Sequence, residues 1–95
     1  MPEMRFHIRW PDGTPESCYS PSLVVKDHLT PGESYGLDDF LARTRTALNE
    51  ASDRVAKRYG HPCSLALGQL AAIEATSRRF QSMPGARIGV ERFEE

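Results

Sequence analysis

Apolar residues occupy every second position from Met4 to Trp10, where Met4, Phe6, Ile8 and Trp10 alternate with Arg5, His7 and Arg9. That is the period of a strand with one face buried and the other in water. Pro11-Asp12-Gly13 breaks the strand, and the chain is expected to return over Pro15–Tyr19 as the second arm of a β-hairpin. Two registers are open. A two-residue turn at Asp12-Gly13 sets Cys18 opposite His7, placing a thiol and an imidazole side by side on the outer face. A three-residue turn at Pro11-Asp12-Gly13 sets Cys18 opposite Phe6 and Trp10 opposite Thr14, making Cys18 a core residue. Proline at the first loop position suits the type I geometry of the second arrangement, which is favoured. Glu16 then points inward, which counts against it unless that end of the sheet is open.

Beyond the hairpin the period changes. Ser20-Pro21 has the form of a serine N-cap with proline at the first helical position, so a short helix is expected, ended by Thr30-Pro31-Gly32. The β-branched pair Val24 and Val25 leaves a strand there as the alternative. A loop follows, with a brief extended piece at Glu33–Tyr35. A long helix starts at Leu37, with Asp38 and Asp39 in its positive first turn. Phe40, Thr44, Ala47, Leu48, Ala51, Val55 and Tyr59 recur at spacings of three and four, and Gly60 stands where a left-handed cap belongs. After His61-Pro62, a second helix from Ser64 to Phe80 carries Ala66, Leu70, Ile73 and Phe80 on one face. The short connection makes the pair an antiparallel αα-hairpin. Ile88 and Val90 alternate with Arg87, Gly89 and Glu91 in a last strand ending near Phe93. The expected fold is α+β, a two-layer sandwich in the order β-β-short α-α-α-β, with a β-hairpin and a C-terminal strand packed on the αα-hairpin.

Composition narrows the function classes. The 95 residues make one small domain spanning 1–95. Twelve Lys and Arg against thirteen Asp and Glu leave a net charge of −1, without the clustered positive charge that nucleic acid or an anionic membrane would need. No apolar run approaches the ~20 residues of a membrane helix, and the charged start MPEMRFHIRW is unlike a signal peptide, so a cytoplasmic location is expected. Arg54 and Lys57 lie four residues after Glu50 and Asp53, the orientation of helix-surface ion pairs, which reads as a solvated face.

Candidate chemistry rests on few side chains. Cys63 precedes Ser64 at a helix start, where unpaired N–H groups favour a thiolate, and His61 lies two residues earlier. Against this stands a plain cysteine packed at a helix start. Cys18 is the second thiol, 45 positions away. No metal-ligand spacing is present, and no metal or cofactor is expected. G-x-S-x-G, phosphate-loop and dinucleotide motifs are also missing. Asp38-Asp39 is no catalytic pair, because adjacent helical residues diverge by about 100°. Trp10 and Tyr19 either cover the core or anchor a partner.

The strings MPEMRF, RWPDG, CYSPS, YGLDDF, RTALNEASDRV and YGHPCSLALGQLAAIE resemble, in this order, a small bacterial family of nitrogen-starvation response proteins. The resemblance spans nearly the whole chain and is weakest between Ser82 and Arg87. It implies genes clustered with a nitrilase, a radical-SAM protein, an acetyltransferase and other biosynthetic enzymes. It carries no established catalytic residues. Cys18, Tyr19, Ser20, Cys63 and Ser64 are among the polar positions inside its motifs. Trp10, Tyr19, Ser20 and Ser64 are taken as binding candidates, and Cys63, Cys18 and His61 as catalytic ones. The expected function is a non-enzymatic accessory or regulatory protein that binds a metabolite or a protein of the same cluster. A small thiol-dependent enzyme or carrier is the alternative. Self-association through an exposed strand edge, giving a homodimer, is a third reading.

Overall fold

The computed structural model describes residues 2–95. Strand β1 (Met4–Arg9) turns into β2 (Pro15–Ser20), followed by a 3-10 turn over Leu23–Asp27 and a short strand β3 (Ser34–Gly36). Helices α1 (Leu37–Tyr59) and α2 (Ser64–Ser77) come next, then one 3-10 turn over Arg78–Phe80 and the last strand β4 (Arg87–Glu94). The four strands form one antiparallel sheet in the order β2-β1-β4-β3. The α+β class is as the sequence predicts, with β3 added as a fourth strand where a brief extended piece is expected.

The hairpin takes the three-residue turn. Trp10 N–H donates to the Thr14 carbonyl at 2.9 Å, Gly13 adopts φ 89°, and Phe6 lies opposite Cys18. Met4, Phe6, Ile8, Trp10 and Cys18 are all buried on the inner face. His7 therefore lies opposite Ser17, not a cysteine, and pairs with Glu94 at 2.9 Å on the outer face.

β4 owes its shape to a pattern that strict alternation cannot satisfy. Ile88 and Val90 point inward, yet the next apolar residue is Phe93, one position late. The pairing shifts by one between His7 and Ile8, leaving Glu91 without an opposite number. This bulge returns Phe93 to the inner side opposite Phe6 and keeps Arg92 and Glu94 in water. Glu91 instead accepts from Arg9 Nε at 3.0 Å. The outer face is thus polar and charged.

The helices cover the inner face as an antiparallel pair. Ser52 meets Cys63 near the connection, whereas Arg45 meets Glu74 toward the far end at 3.0 Å. Gly60, at φ 85°, ends α1 as a left-handed cap. Phe40, Thr44, Ala47, Leu48 and Ala51 are buried, but Tyr59 is 56% exposed and Val55 only half-buried. The stripe continues geometrically past the point where the sheet ends, so its last two members are only partly covered. Leu70, Ile73 and Phe80 complete the core from the α2 side.

Three local expectations change. The N-cap of the short helix is Ser22, whose hydroxyl accepts from Val24 N–H, while buried Ser20 donates to the Ser22 carbonyl at 2.8 Å. The second helix tightens to a 3-10 turn before Phe80. Glu50 pairs with His28 at 3.1 Å, and Arg54 reaches the Ser22 hydroxyl, in place of the expected pairing along the helix. A tertiary partner outcompetes a neighbour four residues away because its geometry is fixed by the fold.

Candidate functional site

The sheet edge at β2 meets the start of α2, and this junction holds a cleft of about 520 Å3. Glu3, Arg5 and Tyr19 line it from the strand side, and Ser64, Leu65, Gly68, Gln69 and Ala72 line it from α2. A volume of that order lies within the range of small-molecule sites, and a mostly apolar lining with a few convergent polar groups is their usual character.

Local chemistry explains how these residues come together. Tyr19 N–H points away from β1 and donates to Gln69 Oε1 at 2.9 Å, so α2 is stitched to the strand edge. Pro15, on the same outward register, has no N–H to satisfy. Gly68 removes a side chain from the helix face that lines the cleft, and a Cβ built there would meet nothing within 4 Å. Leu65 is 66% exposed, lying off the buried Ala66–Leu70–Ile73 face.

A smaller cleft of about 230 Å3 continues on the other side of Tyr19 and Glu3, lined by Pro21, Val55, Tyr59 and Cys63. Tyr19 thus separates two hollows. Burial pushes its phenol above the ordinary range; the neighbouring Glu3 and Cys63 act in the same direction, and Arg5 opposes them.

Of the residues singled out from sequence, Tyr19, Ser64 and Cys63 converge here. Cys63 is half-buried at the N-cap of α2, and its N–H donates to Ser52 Oγ at 3.2 Å. His61 is exposed, with its ring against the Pro62 carbonyl. Cys18 lies elsewhere, sealed in the core, where burial and Glu16 push its thiol far above the ordinary range. Ser20 is buried in its turn. Trp10 is 2% exposed, stacked on Phe80 at 5.7 Å, and offers no surface to a partner. Among the described residues no group of three or more His, Cys, Asp or Glu is placed to hold a metal ion. Among the described residues no helix is long and apolar enough to cross a membrane.

Nothing in the local sequence pattern marks Glu3, Arg5, Leu65, Gly68, Gln69 or Ala72 as a group. Two features of α2 do stand out in the sequence: Gly68 in mid-helix, where glycine costs about 1 kcal/mol relative to alanine, and Leu65 outside the apolar stripe.

The chain matches the family model described as nitrogen starvation-induced protein NitG over residues 5–93. It belongs to that family. The match includes Arg5, Tyr19, Cys63 and the whole of α2, so most of the cleft lies within the family's span. Neither the curated proteins nor the solved structures contain a significant match.

Proposed function

We propose that this NitG-family protein is a non-enzymatic accessory component of the nitrogen-starvation response, acting by binding a small metabolite in the cleft between β2 and α2. In this reading it serves the biosynthetic enzymes encoded beside such proteins. The observation that carries the proposal is the cleft, where the exposed Leu65 of α2 shares one hollow with the charged Arg5 and Glu3 of the strand side. A thiol-dependent reaction has less support. Cys18 is sealed, and among the described residues no imidazole or carboxylate is hydrogen-bonded to the Cys63 sulfur, whereas nucleophilic catalysis needs a base in contact.

Gly68→Phe fills the cleft without left-handed backbone strain and tests the reading directly. Wild type and variant are immobilised and exposed to the small-molecule extract of nitrogen-starved cells, and retained molecules are read by mass spectrometry. Wild type is expected to retain a species that Gly68→Phe does not, and Cys63→Ser is expected to behave as wild type. Equal retention by wild type and Gly68→Phe overturns the reading; loss with Cys63→Ser favours the thiol alternative.

A further inference from the structure

The charges around the cleft specify more than its existence. Arg5 and Glu94 are Cα partners across β1 and β4, so Glu94 is the natural counter-ion of Arg5. Yet Glu94 Oε1 already takes His7 at 2.9 Å and Arg92 at 3.5 Å. Among the described residues Arg5 makes no ion pair, and neither does Glu3. One cation and one anion, neither in an ion pair and the anion beside the Tyr19 phenol, therefore line the cleft two residues apart on the chain, together with Leu65, Gly68 and Ala72 of α2. A ligand with one charge would meet attraction from one of these groups and repulsion from the other. A ligand with both charges satisfies both, leaving its apolar part for the apolar residues of α2.

From this geometry we infer that the cleft takes an amino-acid-type zwitterion with an apolar side chain: its carboxylate on Arg5, its ammonium on Glu3, its side chain against Leu65 and Ala72. Guanidinium suits the carboxylate because it offers a planar, bidentate face. Gly68 leaves room for the ligand's body. This assignment rests on the cleft's being the binding site proposed above.

The test is a titration of the full chain with L-phenylalanine, with 3-phenylpropionate, which lacks the ammonium, and with phenethylamine, which lacks the carboxylate. Backbone amide shifts are followed by NMR. Phenylalanine is expected to shift the amides of Tyr19, Leu65 and Gly68 in a saturable way. Each one-charge analogue should bind at least about tenfold more weakly, the scale of losing one charged contact. Arg5→Gln should reduce phenylalanine to the affinity of phenethylamine, and Glu3→Gln to that of 3-phenylpropionate. Both residues are exposed, and unchanged amide shifts away from the cleft will show that the variants fold. An analogue binding as tightly as phenylalanine overturns the zwitterion assignment and leaves the cleft as a binding site. Silence of the cleft amides toward all three probes at millimolar concentration also overturns it. The broader reading falls only if Gly68→Phe retains the same metabolites as wild type.

Discussion

Trp10 Nε1 donates to Glu16 Oε1 at 2.8 Å, joining the end of β1 to the inward side of β2. This bond explains how an acidic residue can occupy an inner-face position opposite Ile8. A buried indole needs a partner for its N–H, and Glu16, half-buried at the end of the sheet, reaches it without losing all contact with water. The indole itself is held by Phe80, nearly parallel at 5.7 Å, and by Phe40, edge-on at 6.1 Å. The hairpin, α1 and the turn after α2 are therefore locked together at one aromatic cluster.

Replacing that acceptor should be felt directly. Glu16→Leu strands the indole N–H and is expected to cost about 1–3 kcal/mol, the penalty of an unsatisfied buried donor. Glu16→Gln keeps an acceptor oxygen and should cost less than half as much. The chain has one tryptophan, so denaturant unfolding followed by its fluorescence reports on the residue in question. Equal losses for the two variants would show that the hydrogen bond is not what holds position 16.

The β2 edge is guarded by a side chain from a helix. Gln69→Ala removes the acceptor of Tyr19 N–H and should cost about 1 kcal/mol, with faster amide exchange at Tyr19. Gln69→Glu retains an acceptor and should keep most of the protection. Loss of the guard also leaves more of an open strand edge, so Gln69→Ala should self-associate more than wild type in sedimentation. Unchanged exchange at Tyr19 would mean that water or another group replaces the glutamine at no cost.

Much of this architecture can be read from the chain, and the exceptions have physical causes. Pro11 selects the three-residue turn, so the position of Cys18 in the core follows from one loop residue. The spacing Ile88, Val90, Phe93 already contains the bulge, because no flat strand can bury all three. Periodicity failed where it ran past the sheet, at Val55 and Tyr59, since a helix repeats whether or not anything lies beneath it. The cleft was harder still. Cys63, Ser64 and Tyr19 attract attention one by one, but Glu3 and Arg5 acquire meaning only when β1, β2 and α2 are brought side by side. Their distance in sequence hides the juxtaposition.

Two glycines should respond to alanine in opposite directions. Gly60 stands at φ 85°, where a Cβ is strained, and Gly60→Ala should cost about 1 kcal/mol. Gly68 is an ordinary helical residue with open space beside it, so Gly68→Ala should gain up to about 1 kcal/mol. In a domain of this size each change amounts to a shift of about 4–8 °C in melting temperature. Thermal melts of the pair check both signs. A stabilised Gly68→Ala with weaker metabolite retention would show that the glycine is kept for the cleft at the expense of the helix.

The two thiols should separate cleanly by pH and by reagent. Cys18 is sealed in the core and its pKa is raised, first by burial and then by Glu16. In the unfolded chain it ionises near its ordinary value of 9.0, whereas in the folded chain it stays protonated. Above that pH the native state holds the extra proton, so stability falls as pH rises, by up to about 1.4 kcal/mol per pH unit. The contribution is complete below pH 9 and is lost above it. Tyr19, also raised, adds the same sign above its ordinary value of 10.0. Cys18→Ala should flatten the decline between these two values, whatever it does to stability at neutral pH. Alkylation of the native protein, read by mass spectrometry, should modify the half-buried Cys63 and spare Cys18 until the chain unfolds. Modification of Cys18 at the rate of Cys63 under native conditions would show that the inner face of the hairpin opens far more often than its burial implies.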